Sequence, residues 1–311
     1  MKPINSYTNV LDVTEDTSIK RHQVAHRLTG VVRRLMKHFA KNRSLITCVG
    51  NIGAGKSSLI KVLAYTTGMN AMFELPDEGY EDHFTLNEAF SPLLSTVKDS
   101  VKRTLSKYYT AIEEFIACQQ VEPVGSLAWL TAKKTLEKGA LGIQHAYLDL
   151  RKMQLQTAIS LTNSTCIDGS SLADRYAFCE VLHRDLDVPY LTGDALNIID
   201  QRLDQEFKKL MEPAVMIVLH GPTETFFQNI RDRQRSEEKH VNSDCELPEG
   251  LCRLVKALNI RYDNFIDTLH STNWYQGPIL RIDISKIDFV SNVRHLIAVY
   301  EGIEQLLLGQ N

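Results

Sequence analysis

The sequence predicts an α/β fold in which a parallel sheet is flanked by helices, and three observations predict it. Short apolar runs rich in β-branched residues recur along the chain, longer stretches of helical periodicity separate them, and one run ends in a glycine-rich loop that opens a helix. Strands that alternate with helices are joined by crossovers, which favour parallel pairing and a sheet covered on both faces. With 311 residues, 43% of them hydrophobic and 23% charged, the chain is long enough for a sizeable core and lies outside collagen-like, low-complexity and supercharged classes.

The elements follow in order. Residues 1–20 are polar and rich in Thr, Asp and Asn, which predicts a loosely held arm. Residues 21–43 place Val24, Leu28, Val31, Val32, Leu35 and Phe39 at helical spacing with basic residues opposite. That helix either packs on the domain with its basic face in solvent, or turns the face to a partner or a phosphate-bearing ligand. Ser44–Gly50 (SLITCVG) reads as a buried strand, and Ser164–Asp168, Ala214–Gly221 and Ile279–Ile284 resemble it. Helical periodicity fills 85–118, with apolar spacing at Leu93, Leu94, Val97, Val101 and Leu105, then 126–160 and 194–211. No internal repeat or long linker divides the chain, so one domain with insertions is expected.

Charge narrows the partners. Against 35 Lys+Arg stand 38 Asp+Glu, for a formal charge of -3, which predicts no bulk affinity for nucleic acid or an acidic membrane. A local basic patch remains compatible with a compact polyanion. The six cysteines form no CxxC pair, which points away from a disulfide framework or zinc site and towards a reducing compartment. The apolar runs fall short of the roughly 18 residues of a membrane span, and the N-terminus lacks the apolar core of a signal peptide. A cytoplasmic or other reducing intracellular location is expected.

The first strand runs into GNIGAGKS, Gly50 to Ser57, and then into the apolar-periodic SLIKVLAY. This is a complete G-x-x-x-x-G-K-[ST] pattern in the strand, loop and helix setting that its mechanism requires. Glycines let the backbone curl so that N–H groups converge on phosphate oxygens, and the helix N-terminus adds positive potential. Gly50, Asn51, Ile52, Gly53, Ala54, Gly55, Lys56, Ser57 and Ser58 are therefore the candidate nucleotide-binding residues. Lys56 would meet the β and γ phosphates, and Ser57 would offer a hydroxyl to Mg²⁺. The nearest approach to a GTPase base-reading motif, Val241 to Asp244, lies in a polar stretch, and no acidic pair follows Asp168 as in motor-type ATPases. A kinase acting on a small acceptor is the leading class.

Four segments, in order, resemble the deoxynucleoside kinase family, which includes the deoxycytidine, deoxyguanosine and insect deoxynucleoside kinases. They span about residues 44 to 285. The first is the loop GNIGAGKSS. The second is QHAYLDLR, in which Gln144 and Arg151 stand seven residues apart, about two helical turns, and share one face. The third is IDGSSLADRYAF, resembling [ED]-R-S-x-x-x-D-R-Y-x-F, with Asp168 and Asp174 at its two acidic positions. The fourth is NIRDRQRSEEK, resembling an arginine-rich lid with core R-x-R-x-x-E.

The resemblance implies a P-loop nucleoside/nucleotide kinase fold: an α/β domain over 44–311, preceded by the arm and helix of 1–43, with a helical insertion at about 85–125 and a lid at about 229–246. It implies ATP as phosphate donor, Mg²⁺, a deoxynucleoside accepting at its 5′-hydroxyl, and a homodimer built on helices. Gln144, Arg151 and Asp174 would read the base, and the Arg and Asp together point to cytosine or purine bases. Asp168 would stand by Mg²⁺ and the acceptor hydroxyl, Arg233 and Arg235 would close the lid with Arg231 nearby, and Glu238 would contact the sugar 3′-hydroxyl. For the general base, Glu74 after the AMF run is the choice, with Asp77 and Glu78 as alternates in a slipped register. The substrate-contacting tyrosine of the family has Tyr108, Tyr109 and Trp129 as nearby candidates. The bland alternative for Asp174 and Arg175 is an exposed charge pair. One departure stands out: where the family has arginine after the acid, this chain has Gly169. A nucleoside monophosphate kinase on the same fold and a catalytically silent nucleotide-binding module are the competing functions.

Overall fold

The computed structural model describes residues 7–9, 21–75, 81–82, 91–210, 212–233 and 247–309. Its centre is a six-stranded parallel sheet built from β1 (Tyr7–Asn9), β2 (Leu45–Gly50), β3 (Asn70–Met72), β4 (Thr165–Asp168), β5 (Val215–His220) and β6 (Ile279–Asp283), in the order β1-β6-β5-β2-β4-β3. The four strands expected from apolar runs all form, each within a residue or so of its expected limits. Every residue of β2 is buried, as befits a central strand with helices on both faces.

Alternate residues of the strands serve two cores. Leu45, Val49, Met216, Val218 and Ile279 face a core shared with α3 (Ser91–Val121), α4 (Leu127–Ser160), α6 (Gly193–Glu206) and α9 (Phe265–Thr272). Ile46, Cys48, Ile217, Leu219, Leu280 and Ile282 face the other, with α1 (Arg21–Lys41), α2 (Lys56–Thr67) and α10 (Val293–Leu308). The two-residue period of a strand makes this division unavoidable. Between β4 and α6 the chain forms α5 (Ser171–Ala173) and π-helical turns at Asp174–Cys179 and Val181–Asp185. α7 (Thr223–Arg233) and α8 (Glu249–Asp263) follow β5.

Helix α1 buries Val31, Leu35 and Phe39, spaced four residues apart, and packs on α10. Its basic face is partly engaged within the chain: Arg27 pairs with Glu301 and Arg34 with Glu304 of α10. In the polar N-terminal stretch, Tyr7–Asn9 adds an edge strand beside β6, which sequence periodicity did not predict because three residues carry no pattern. In α3, Leu94 and Val101 are fully buried while Leu93 is exposed, so the inward stripe is narrower than the sequence pattern implied. Buried Lys98 sits on that stripe and is neutralised by Asp82. Ser126 caps α4 by accepting from the Trp129 N–H, and α6 ends at Glu206, short of the expected 211. Among the described residues, no helix is long and apolar enough to cross a membrane.

The sheet order places the site. From β2 the chain moves outward to β3 and back to β4, then crosses to β5 on the other side of β2. That reversal opens a crevice beyond the carboxyl ends of β2, β4 and β5, where open α/β sheets bind ligands.

Candidate active site

Gly50 ends β2, and the chain turns through Asn51–Gly55 into α2. Two asparagines fix the turn. Asn51 is fully buried, donates from Nδ2 to the Val255 carbonyl at 2.9 Å and accepts the Ile52 N–H on Oδ1 at 2.8 Å. From α7, Asn229 donates to the Gly53 carbonyl at 2.7 Å. Gly53 has φ +81°, and a Cβ there would lie 2.6 Å from the Phe226 carbonyl oxygen, so both conformation and space require glycine. No acidic side chain occupies the first turn of α2, which leaves its positive end to an incoming anion. Lys56 Nζ donates to the carbonyls of Gly50 at 3.2 Å and Asn51 at 3.1 Å.

Asp168 closes β4 beside Cys48 of β2, and the next N–H, that of Gly169, donates to the Cys48 carbonyl at 2.8 Å. Ser57 Oγ donates to Asp168 Oδ2, whereas Asp168 Oδ1 is buried without a hydrogen-bond partner. Burial pushes the Asp168 carboxyl up, with the Glu74 charge adding to it, against the pull of Lys56, the Ser57 hydrogen bond and Arg151. An orphaned carboxylate oxygen beside a hydroxyl is a suitable donor set for a hard cation that keeps most of its remaining ligands as water or phosphate. Mg²⁺ fits these residues.

Helix α4 contributes Gln144, Tyr147 and Arg151, whose three- and four-residue spacings put them on one face. Gln144 Oε1 accepts from Cys179 Sγ at 3.3 Å. Arg151 is buried and donates from Nε to Asp174 Oδ2 at 2.9 Å, from Nη1 to the Asp168 carbonyl at 2.8 Å, and from Nη2 to Glu74 Oε2 at 2.7 Å. Burial pushes Glu74 up, but the charges of Arg151 and Lys56 and hydrogen bonds from Arg151 and Tyr147 outweigh it and hold the carboxyl at about 2. Asp174 is buried against Arg151, and Arg175 turns away to Asp200 and Glu180. The exposed Asp174 and Arg175 pair weighed from sequence is therefore not what forms.

Two hollows meet at this network. One is lined by Gly50, Ile52, Gln144, Tyr147, Arg151 and Asp174 together with Tyr108, Tyr109, Phe178 and Tyr262. The other is lined by Gly53, Ala54, Gly55, Ser57 and Ser58, with Asp168, Asn229 and Phe289. Lys56, Glu74 and Leu75 line both. Of the aromatic candidates, Tyr108 and Tyr109 line the first hollow, and Trp129 does not: it is buried with its ring 5.7 Å from that of Phe115. Sequence reasoning missed Tyr147, although its spacing from Gln144 and Arg151 was visible. It also missed Tyr262 and Phe289, for which no local pattern exists.

Arg233 is the last residue of α7 and Arg231 is exposed on that helix. Arg235, Glu238 and most of the lid at 229–246 lie outside the described residues, as do Asp77 and Glu78.

A family model described as deoxynucleoside kinase matches residues 46–308. A deoxyadenosine kinase of Lactobacillus acidophilus is 23% identical over 263 residues, which is 85% of this chain and 96% of that protein. The structure of deoxyadenosine kinase from M. mycoides with the products dCMP and a flexible dCDP bound aligns with a TM-score of 0.50 and 19% identity, covering 84% of this chain and 98% of that one. The M. mycoides enzyme with bound dATP aligns with a TM-score of 0.49 and 18% identity, over 84% of this chain and 99% of that one.

Proposed function

The chain belongs to the deoxynucleoside kinase family, phosphotransferases that phosphorylate nucleosides, and from that premise we propose that it moves the γ-phosphoryl group of ATP to the 5′-hydroxyl of a deoxynucleoside bearing cytosine or a purine, with Mg²⁺. The observation that carries this reading is the sharing of Lys56 and Glu74 between the two hollows. A phosphate-loop ammonium and a carboxylate thus face a place where a donor in the loop hollow and an acceptor in the aromatic hollow can meet.

The bond from the acceptor 5′ oxygen to the γ phosphorus forms as the β–γ bridging bond breaks, leaving ADP, and the hydroxyl proton passes to a Glu74 carboxylate oxygen. Glu74 is ionised at neutral pH and ready to accept; its placement within hydrogen-bond reach decides its efficiency. The loop amides and Lys56 hold the phosphates where charge spreads over equatorial oxygens. Ser57 Oγ and Asp168 Oδ1 would hold Mg²⁺, which when bound neutralises phosphate charge. Gln144, Arg151 and Asp174 face the base in the aromatic hollow, where Tyr108, Tyr109 and Phe178 supply apolar walls. Arg233 and Arg235 supply lid cations and Glu238 meets the sugar 3′-hydroxyl, as the family resemblance implies. The same resemblance carries a homodimer built on helices, checked by sedimentation equilibrium.

The test is purified protein with γ-labelled ATP, Mg²⁺ and a panel of deoxynucleosides and their monophosphates. Label in a deoxynucleoside 5′-monophosphate is expected. Label only in diphosphates would replace this reading with a monophosphate kinase, and label in neither would leave a silent module.

A further inference from the structure

Arg151 makes more contacts than a base-reading residue requires. Besides the three bonds given above, Nη1 donates to Gln154 Oε1 at 3.2 Å and Nη2 reaches Asp174 Oδ1 at 3.4 Å. The planar guanidinium has five N–H donors in a fixed fork. Here that plate ties together the second residue after β3 (Glu74), the end of β4 (Asp168) and the start of a π-helical turn (Asp174). The Tyr147 ring lies 5.6 Å from Arg151 Cζ, and Tyr147 also hydrogen-bonds Glu74, so the carboxylate is braced twice from one helix.

The plate can lie there because of the residue beneath it. Gly169 has φ +95°, and a Cβ on it would fall 2.2 Å from Arg151 Nη2, 2.4 Å from Cζ and 2.6 Å from Nη1. The guanidinium therefore occupies the volume that any other side chain at 169 would begin to fill. An arginine at this position could not coexist with the observed seating. Glycine is required here twice over, by a backbone conformation that other residues rarely adopt and by the approach of a side chain from another element.

We infer that Gly169 and Arg151 work as a pair that positions Glu74: the missing side chain at 169 admits the Arg151 guanidinium onto the end of β4, and from that seat Arg151 fixes the carboxylate's place between the two hollows. Arg151 is then a positioning residue for Glu74 as well as a wall of the acceptor hollow, and changes at position 169 act through it. This rests on Glu74 being the proton acceptor of the proposed reaction, but the structural part can be measured without activity.

A side chain at 169 has somewhere to send the guanidinium. Arg151 and Gly169 also line a separate cavity bounded by Ser170, Leu172, Asp204 and Trp274. Gly169→Ala strains the backbone at φ +95°, a cost the thermal melts read, and leaves Arg151 this cavity to move into, so Arg151 is expected to be displaced and its bond to Glu74 lost. Around Glu74 the groups that set its charge are Lys56 from α2, Tyr147 and Arg151 from α4, Asp168 from β4, Asp174 from the π-helical turn and Tyr262 from α8. Losing Arg151 from that set removes the larger of the two cationic influences.

The experiment follows the Glu74 carboxyl by carbon-detected NMR titration in the wild type, Gly169→Ala and Arg151→Lys, alongside steady-state kinetics and thermal melts. In Gly169→Ala the Glu74 midpoint should rise by about one unit or more, a tenfold change in proton affinity. Where activity is present, kcat should fall about 100-fold, the signature of a misplaced reacting group, and acceptor KM should rise as well because Arg151 also leaves the base. Arg151→Lys keeps the charge without the fork and should recover the midpoint more than the rate. A folded Gly169→Ala protein whose Glu74 midpoint is unmoved overturns the inference. If the variants fail to fold, the wild-type Arg151 side-chain NH resonances decide: slow, separate Nη signals support the seated plate, and a rapidly averaged Nη signal contradicts it. An absence of kinase activity in the wild type would sink the function proposed above and leave these spectra to decide the positioning pair.

Discussion

Ser57 Oγ donates to Asp168 Oδ2, so the first turn of the helix after the phosphate loop is hydrogen-bonded to the acid at the end of the neighbouring strand. The other carboxylate oxygen is left buried and unpartnered. A buried acceptor without a donor costs about 1–3 kcal/mol, which a cation would recover.

Asp168→Asn is therefore expected to weaken Mg²⁺ binding, raising the metal concentration for half-maximal activity by at least about tenfold, and to stabilise or barely change the fold. Metal-titrated initial rates and thermal melts check both halves. Ser57→Ala should move the metal requirement in the same direction by a smaller factor.

Base choice should depend on the buried pair at Arg151 and Asp174, which face the aromatic hollow. Changing both together removes the pair, and the accompanying loss of the Arg151 partner of Glu74 falls equally on every base. The double variant should weaken cytosine and purine acceptors by about tenfold more than thymidine, about 1.4 kcal/mol of discrimination. Equal losses across all bases in kcat/KM comparisons would show that these residues do not select the base.

Acid should unfold the protein partly through Glu206. The Arg202 hydrogen bond, with Lys152 assisting, holds its carboxyl near 2 against an ordinary value of 4.5. A depressed carboxylate contributes stability that is present above about 4.5 and is lost as pH falls towards 2. Glu206→Gln should flatten urea midpoint against pH in that window and cost about 1 kcal/mol at neutral pH, after allowing for solvent screening.

The face that presents Gln144 and Arg151 depends on the packing of α3 against α4. Phe115 of α3 is fully buried, with ring centroids 5.7 Å from Trp129 and 6.3 Å from Tyr190. Phe115→Ala should cost about 3–5 kcal/mol, read in chemical denaturation, and should lower activity in proportion to the folded fraction.

What the sequence made legible followed from how locally each feature is encoded. The loop from Gly50 to Ser57 was readable because phosphate binding needs consecutive residues in a fixed setting, and the structure places them between β2 and α2 as expected. Gln144 and Arg151 were singled out by the family resemblance of QHAYLDLR, helical spacing put them on one face, and they do share a hollow. Glu74 was the choice among three acids, and it lies where the two hollows meet. The contact of Gly169 with Arg151 had no local signal, since it joins a strand end to a helix eighteen residues earlier. Strand β1 was hidden for another reason: its order comes from the β6 ladder rather than from its own three residues. Phe289 and Tyr262 reach the site from late elements whose own patterns describe only their packing.

The claim on which the account turns is that Glu74 accepts the acceptor's proton at the junction of the two hollows. Single-turnover phosphoryl transfer by Glu74→Gln, with acceptor affinity measured separately, tests it most directly. The transfer rate should fall by about 10²–10⁴-fold while the acceptor still binds. A glutamine variant that transfers at the wild-type rate would contradict it.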